Sequence, residues 1–246
     1  MTGKALYSDL IEASARGEKR LAVLFDPDKL SLKNMERALE LAIECRVDYF
    51  FIGGSLVVNS MLDPLLSDIR SRCDIPMVLF PGSSFQLSYR ADAILLLSLI
   101  SGRNPELLIG QHVVAAPYLK VSPLEIISTG YILIDGGVPT SVLYMSNTSP
   151  IPAGKDDIAV CTAMAGEMLG LKTIYLEAGS GAVNPVSETM IEAVRQTISV
   201  PLITGGGIRT PEKVAANFRA GADVIVVGNI LEKDPGVVRE MAAARY

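Results

Sequence analysis

The chain has 246 residues, 49% of them apolar, and its 22 basic and 27 acidic residues leave a net charge of -5. That is enough apolar material for one substantial core, and the acidic balance excludes the global positive field that draws a protein onto nucleic acid or anionic lipid. The N-terminal stretch MTGKALYSDLIEASARGEKR lacks an apolar h-region and no apolar run approaches the roughly 18 residues of a membrane span, so a cytoplasmic location is expected.

In chain order, runs rich in Val, Ile, Leu, Phe and Tyr predict eight strands, near 21–26 (LAVLFD), 48–53 (DYFFIG), 76–80 (PMVLF), 93–99 (AILLLSL), 130–135 (GYILID), 173–178 (TIYLEA), 201–205 (PLITG) and 223–228 (DVIVVG). Near-continuous hydrophobicity implies cover on both faces, as in a buried parallel sheet. A helix from Ser31 carries Leu32, Met35, Leu39 and Ile43 on one stripe. Three further helix starts pair a capping side chain with a proline: Asn184-Pro185, Thr210-Pro211 and Asp234-Pro235. Gly221 stands where the helix after Pro211 would want a left-handed cap. Eight βα units close most naturally into a (β/α)8 barrel, with a doubly wound open sheet as the competing architecture.

Two connections are irregular. Only PGSSFQLSYRAD separates the third and fourth strands, too short and broken for a full crossover helix. The stretch 138–157 is too polar for one helix and reads as a lid or as an ordinary surface loop. Cys45, Cys73 and Cys161 show no C-x-x-C spacing and read as reduced core thiols.

Function concentrates at the strand ends. In such barrels ligands lie at the C-terminal mouth, and a phosphate is often held after strands seven and eight. Gly205-Gly206-Gly207 and Gly228-Asn229 fall there, and the sixth strand ends in Glu177-Ala178-Gly179-Ser180-Gly181. Each loop alone could be a plain turn; three on consecutive strands point to a phosphate approached by backbone N–H groups. No nucleotide loop of the G-x-x-x-x-G-K-[ST] type is present.

The first strand ends in Phe25-Asp26-Pro27-Asp28-Lys29, where Asp26 is a candidate to hold a magnesium ion against a diphosphate, and Asp28 and Lys29 read as turn residues. Ser55, after Gly53-Gly54, could complete that coordination or cap a helix. Glu177 could accept a proton from an attacking hydroxyl or stabilise positive charge on carbon. Tyr175, on the same strand face, is either a ligand contact or a core tyrosine. The single histidine, His112, excludes any site built around more than one imidazole and reads as a helical surface or helix-end residue.

With these residues placed, the chain resembles the geranylgeranylglyceryl phosphate synthase family, which also includes the bacterial heptaprenylglyceryl phosphate synthases. The resemblance runs from about Leu21 to Asn229 and rests on FDPDK, GGS, YLEAGSG, GGGIR and VGN in matching order. It implies a single modified TIM barrel over residues 1–246 whose third helix is replaced by an extended segment. It implies a Mg²⁺-dependent transfer of a long prenyl group from its diphosphate to the 3-hydroxyl of sn-glycerol 1-phosphate, with diphosphate released. Asp26 and Ser55 would be metal ligands. Tyr175, Leu176, Glu177, Ala178, Gly179, Ser180, Gly181, Gly206, Gly207, Gly228 and Asn229 would bind glycerol 1-phosphate, and Glu177 would face the reacting carbons. A homo-oligomer is implied as well.

The heptaprenyl branch carries a lysine two positions before the first Asp, where this chain has Leu24; the geranylgeranyl-using branch is the better match. The strand segments FFIGG, LFPG and ILLLSL could line an apolar trough for the prenyl chain, or simply pack the barrel. The competing readings are a phosphosugar isomerase of the ribulose-phosphate-binding type and a non-catalytic phosphometabolite sensor.

Overall fold

Alternation along each strand decides what the sheet encloses. The computed structural model describes residues 5–28, 32–55, 61–84 and 86–245. Its strands are β1 (Arg20–Phe25), β2 (Tyr49–Ile52), β3 (Met77–Leu79), β4 (Ala93–Leu99), β5 (Glu125–Leu133), β6 (Thr173–Glu177), β7 (Leu202–Gly205) and β8 (Val224–Val227). They pair in parallel in sequence order, and β8 returns to β1 from Arg20↔Val224 to Val23↔Val227, closing the barrel. Closure leaves no edge strand and rules out the open-sheet alternative.

One set of side chains, including Ala22, Phe51, Val78, Leu95, Tyr131, Tyr175, Ile203 and Val226, fills the barrel. The alternate set, including Leu21, Phe50, Met77, Ile94, Ile132, Ile174, Leu202 and Ile225, packs beneath the helices. Burial on both faces is why these strands read as continuous apolar runs. β5 begins at Glu125, ahead of the expected 130, because Ser128 and Thr129 interrupt the apolar run. Thr129 is nonetheless buried, its hydroxyl 2.9 Å from that of Thr173 on the neighbouring strand.

The helices are α1 (Leu6–Ala15), α2 (Leu32–Glu44), α3 (Leu62–Arg72), α4 (Gln111–Val121), α5 (Ser141–Ser146), α6 (Asp156–Met168), α7 (Glu188–Arg195), α8 (Pro211–Arg219), α9 (Asn229–Lys233) and α10 (Val238–Ala243). α1 is tied to the barrel: the Leu6 and Tyr7 N–H groups donate to the Glu125 carboxylate at 2.5 and 3.1 Å, and Ser14 Oγ donates to Asp223. In α2, Leu39 is buried and Met35 and Ile43 half-buried; Lys29, Ser31 and the Leu32 side chain lie outside what is described. Among the described residues the β3–β4 connection carries no helix, in agreement with the extended segment.

α8 starts as its sequence indicates, with Thr210 Oγ1 accepting the Lys213 N–H. It ends at Gly221 (φ 109°), with the Ala222 N–H donating to Asn217 and the Gly221 N–H to Phe218, the paired bonds of a Schellman cap. The Asn184-Pro185 start is corrected. α7 begins at Glu188, capped by Ser187, whose hydroxyl accepts the Met190 N–H, while the Asn184 N–H goes to Gly136 and ties that segment to the β5 loop. Asp234 caps a single 3-10 turn, Pro235–Val237, that leads into α10. The cysteine expectation is also corrected in part: Cys45 and Cys73 are half-buried, but Cys161 is exposed on α6.

Candidate active site

Because side chains alternate, Tyr175 and Glu177 both point into the barrel from the end of β6, and Leu176 points outward into the helix layer. Glu177 is 6% exposed and faces a cleft at the barrel mouth. Its Oε1 accepts the Gly179 N–H at 2.7 Å. Burial pushes its pKa from 4.5 up to about 7, with the Gly179 N–H and the nearby Tyr175 hydroxyl opposing part of the rise. Near neutral pH this carboxyl is divided between acid and base forms, the condition under which a side chain exchanges a proton with a substrate. Tyr175 is fully buried, and the loss of solvent, reinforced by the Glu177 charge, holds its phenol well above the usual tyrosine range. The Tyr175 hydroxyl makes no hydrogen bond of good geometry, yet it lies close enough to Glu177 to favour the carboxylate form, and the residue borders the cleft.

The same cleft gathers Asp26, Ser55, Tyr175, Glu177, Ser180, Gly181, Gly206, Gly207, Gly228 and Asn229. Gly206 (φ 81°) requires its lack of a side chain, because a Cβ there would overlap Glu177 Oε1 and stand 2.6 Å from the Gly179 nitrogen. Ser180 Oγ donates to Asn229 Oδ1 at 3.0 Å, joining the β6 loop to the start of α9. Leu176 faces the helices, Ala178 is buried with its N–H donated to Gly205, and the Gly179 amide is taken by Glu177; none of them lines the cleft.

Asp26 sits opposite, 7% exposed, with Oδ1 accepting the Asp28 N–H at 3.1 Å. A Cβ on Gly54 would come within 2.5 Å of Asp26 Oδ2, so the turn carrying Ser55 is pressed against this carboxylate. Among the described residues no group of three or more His, Cys, Asp or Glu side chains could hold a metal ion by itself. One carboxylate and one hydroxyl on a single wall nevertheless suit Mg²⁺, which takes few protein ligands and completes its shell with phosphate oxygens and water.

Sequence reading left several cleft residues unmarked. Arg209 of the GGGIR motif donates to the carbonyls of Val183 (3.0 Å) and Ala182, pinning the β6–α7 loop over the glycine turn. Lys233 at the end of α9 also lines the cleft, and so does Leu24, which the sequence had marked only as the position that separates the two branches. The motif marked Arg209 by neighbourhood alone, and nothing local marked Lys233.

A second cleft, apolar, adjoins the first. Gly54, Ser55, Phe80, Tyr131 and Val142 line both. From Phe80 and Tyr131 it passes Leu97 and Leu99 at the end of β4, then reaches Ile94 and Leu96 on the outer face of the sheet. Leu87 of the helix-free connection and Leu107, Ala115 and Leu119 around α4 form its other sides. The cleft therefore occupies space that a helix after β3 would fill. Val142, Met145 and Ser146 of α5 also line it, so part of the 138–157 stretch faces this cleft. His112 is on α4 as expected, but it faces the cleft rather than solvent: its Nε2 is 3.2 Å from Ser98 Oγ, and burial lowers its pKa.

A model described as the PcrB family matches residues 15–245. A geranylgeranylglyceryl phosphate synthase of Chitinophaga pinensis is 57% identical over 242 residues, which cover 97% of this chain and 95% of that relative. The one from Thermococcus kodakarensis is 41% identical, with 88% and 85% covered. Among solved structures, (S)-3-O-geranylgeranylglyceryl phosphate synthase from Thermoplasma acidophilum, in complex with its substrate sn-glycerol-1-phosphate, is similar with a TM-score of 0.92 at 32% identity, covering 98% of both chains.

Proposed function

The chain belongs to the PcrB family, and from that premise we propose that it joins geranylgeranyl diphosphate to the 3-hydroxyl of sn-glycerol 1-phosphate, giving geranylgeranylglyceryl phosphate and diphosphate. Its relatives and its structural neighbour favour prenyl transfer over phosphosugar isomerisation. The observation that carries the reading is the junction of a glycine-lined polar cleft with an apolar one, with Glu177 in the polar cleft. An isomerase has no use for the second cleft.

The acceptor phosphate lies against the turns at Ser180-Gly181, Gly206-Gly207 and Gly228-Asn229, where glycines admit it to backbone N–H groups. The prenyl chain runs from Phe80 and Tyr131 toward α4. Asp26 and Ser55 would hold magnesium, which when bound would supply positive charge to offset that of the departing diphosphate. The chain's own residues do the rest. Glu177, with a pKa near neutrality, accepts the proton from the glycerol hydroxyl as its oxygen bonds to the allylic carbon. Tyr175 positions the acceptor beside Glu177, and the shared wall keeps water away from the reacting carbon.

Among the described residues no helix is long and apolar enough to cross a membrane. We place the reaction in the cytoplasm, on one domain spanning residues 1–246. Exposed Val113, Tyr118 and Val121 on α4 support an assembly of identical chains. The test is mass spectrometry of products after incubation with Mg²⁺, either glycerol phosphate enantiomer, and prenyl diphosphates of several lengths. An ether from the sn-1 enantiomer and the twenty-carbon donor, lost on chelation and restored by Mg²⁺, is expected; no ether from any pair would overturn the reading.

A further inference from the structure

Where the two clefts meet, the wall is aromatic. Phe80 follows β3 and its N–H donates to the Ile52 carbonyl at 2.9 Å. Gly53 (φ 145°) leaves the space its backbone needs, since a Cβ there would overlap the Phe80 carbonyl. The Phe80 ring stacks on Tyr175 with centroids 5.3 Å apart and planes at 17°. It meets Tyr131 of β5 at 6.0 Å and 52°, and Tyr131 in turn lies 5.4 Å from Tyr175. Phe80 and Tyr131 border both clefts, whereas Tyr175 borders the polar one. Each ring is thus held by its neighbours at the place where the head of an apolar donor meets a polar acceptor.

On the reading of this site as a prenyltransferase, on which the inference rests, we propose that Phe80 and Tyr131 form a π wall that stabilises the allylic cation and so act as catalytic residues. The C1–O bond of the donor breaks with its electron pair on the diphosphate. Positive charge spreads over C1 and C3, the glycerol oxygen bonds to C1, and its proton passes to Glu177. Between the first and last events the cation needs a partner that neither competes as a nucleophile nor consumes a proton. Of the cleft's carboxyls, Asp26 is committed to the metal and Glu177 to the proton. Phe80, which also packs against Phe51 at 6.2 Å and 30°, and Tyr131 both border the junction, and a carbon in van der Waals contact with the face of either ring would lie inside the roughly 6 Å reach of a cation–π interaction. Burial and the Glu177 charge hold the Tyr131 phenol in its neutral form, so its ring acts through the π face and its oxygen is not a competing phenolate.

The test replaces Phe80 with mono-, di- and trifluorophenylalanine, which withdraw π density with little change in shape. Single-turnover ether formation should fall stepwise, reaching a loss on the order of 30-fold, while Kd for glycerol 1-phosphate and KM for geranylgeranyl diphosphate stay unchanged. Tyr131→Phe should retain most of the rate and Tyr131→Leu should lose it in kcat. A rate indifferent to fluorination, or an effect confined to KM, would make the rings apolar lining and overturn the proposal. No ether from the unaltered chain would overturn the prenyl-transfer reading together with it; ether at equal rates across the series removes the π wall alone.

Discussion

The two halves of the mouth are built by opposite means. The polar half uses backbone: glycines at 181, 206, 207 and 228 bring amide groups to the surface, and among the described residues the buried carboxyls that line it are Glu177 and Asp26. The apolar half uses side chains from distant segments, with Leu87, Leu97, Leu107, Ala115 and Val142 drawn from a loop, a strand, the π-helical turn Glu106–Gly110 that precedes α4, and two helices. A phosphate has fixed size and charge, so a rigid amide cradle serves it. A hydrocarbon chain asks only for volume and dryness, which many side-chain combinations supply.

If that division is right, damage to one half should leave the other working. Glu177→Gln should lower kcat by on the order of 1000-fold while glycerol 1-phosphate still binds, measured by initial rates and calorimetry. Next comes Gly206→Ala, whose added carbon meets the Glu177 carboxylate in a left-handed backbone conformation. It should weaken glycerol 1-phosphate by about 100-fold and leave KM for the donor unchanged. An equal loss for both substrates would break the separation. Ala115→Phe should do the reverse, shifting preference from the twenty-carbon donor toward shorter ones by about 10-fold, read by product mass, with acceptor binding intact.

The smallest effects are those of pH. Since Glu177 must be ionised to take a proton and its pKa is about 7, kcat/KM should fall about tenfold per unit below that value and level above it. Its stability effect follows from the same shift. The folded chain holds this proton more tightly than the unfolded one, so the penalty for ionising it is absent below pH 4.5, grows toward about 7 and is complete above that. Glu177→Gln should therefore stabilise the fold at pH 8 by at most on the order of 3 kcal/mol and change little at pH 4, as denaturant melts at both pH values would reveal.

The division also explains what could be read in advance. The barrel and the polar half were legible because their signals are local: apolar runs ending at Asp26, Glu177 and Gly228, and glycines at fixed offsets beyond them. The short β3–β4 connection was legible as a missing helix for the same reason. The apolar cleft was legible only in part. FFIGG, LFPG and ILLLSL do supply Gly54, Phe80, Ile94, Leu96, Leu97 and Leu99 to its lining, but such residues read equally well as barrel packing, and only the fold shows that Ile94 and Leu96 turn outward toward α4. His112 was legible only as far as its place at the start of α4, since the face a helical residue presents depends on what the helix covers. At Asn184-Pro185 a good capping pair lost to a tertiary bond with Gly136, and Ser187 took over the start of α7.

One consequence concerns how a phosphate-binding barrel comes to handle grease. The helix-free link between β3 and β4 adds nothing to the architecture; it takes away one stave of the outer coat and bares the back of a strand. A designer who wished to give another such barrel a taste for long hydrocarbon substrates would accordingly begin by cutting. Trimming the third crossover and re-lining the exposed strand with leucine leaves the headgroup cradle, three strands further along the ring, undisturbed.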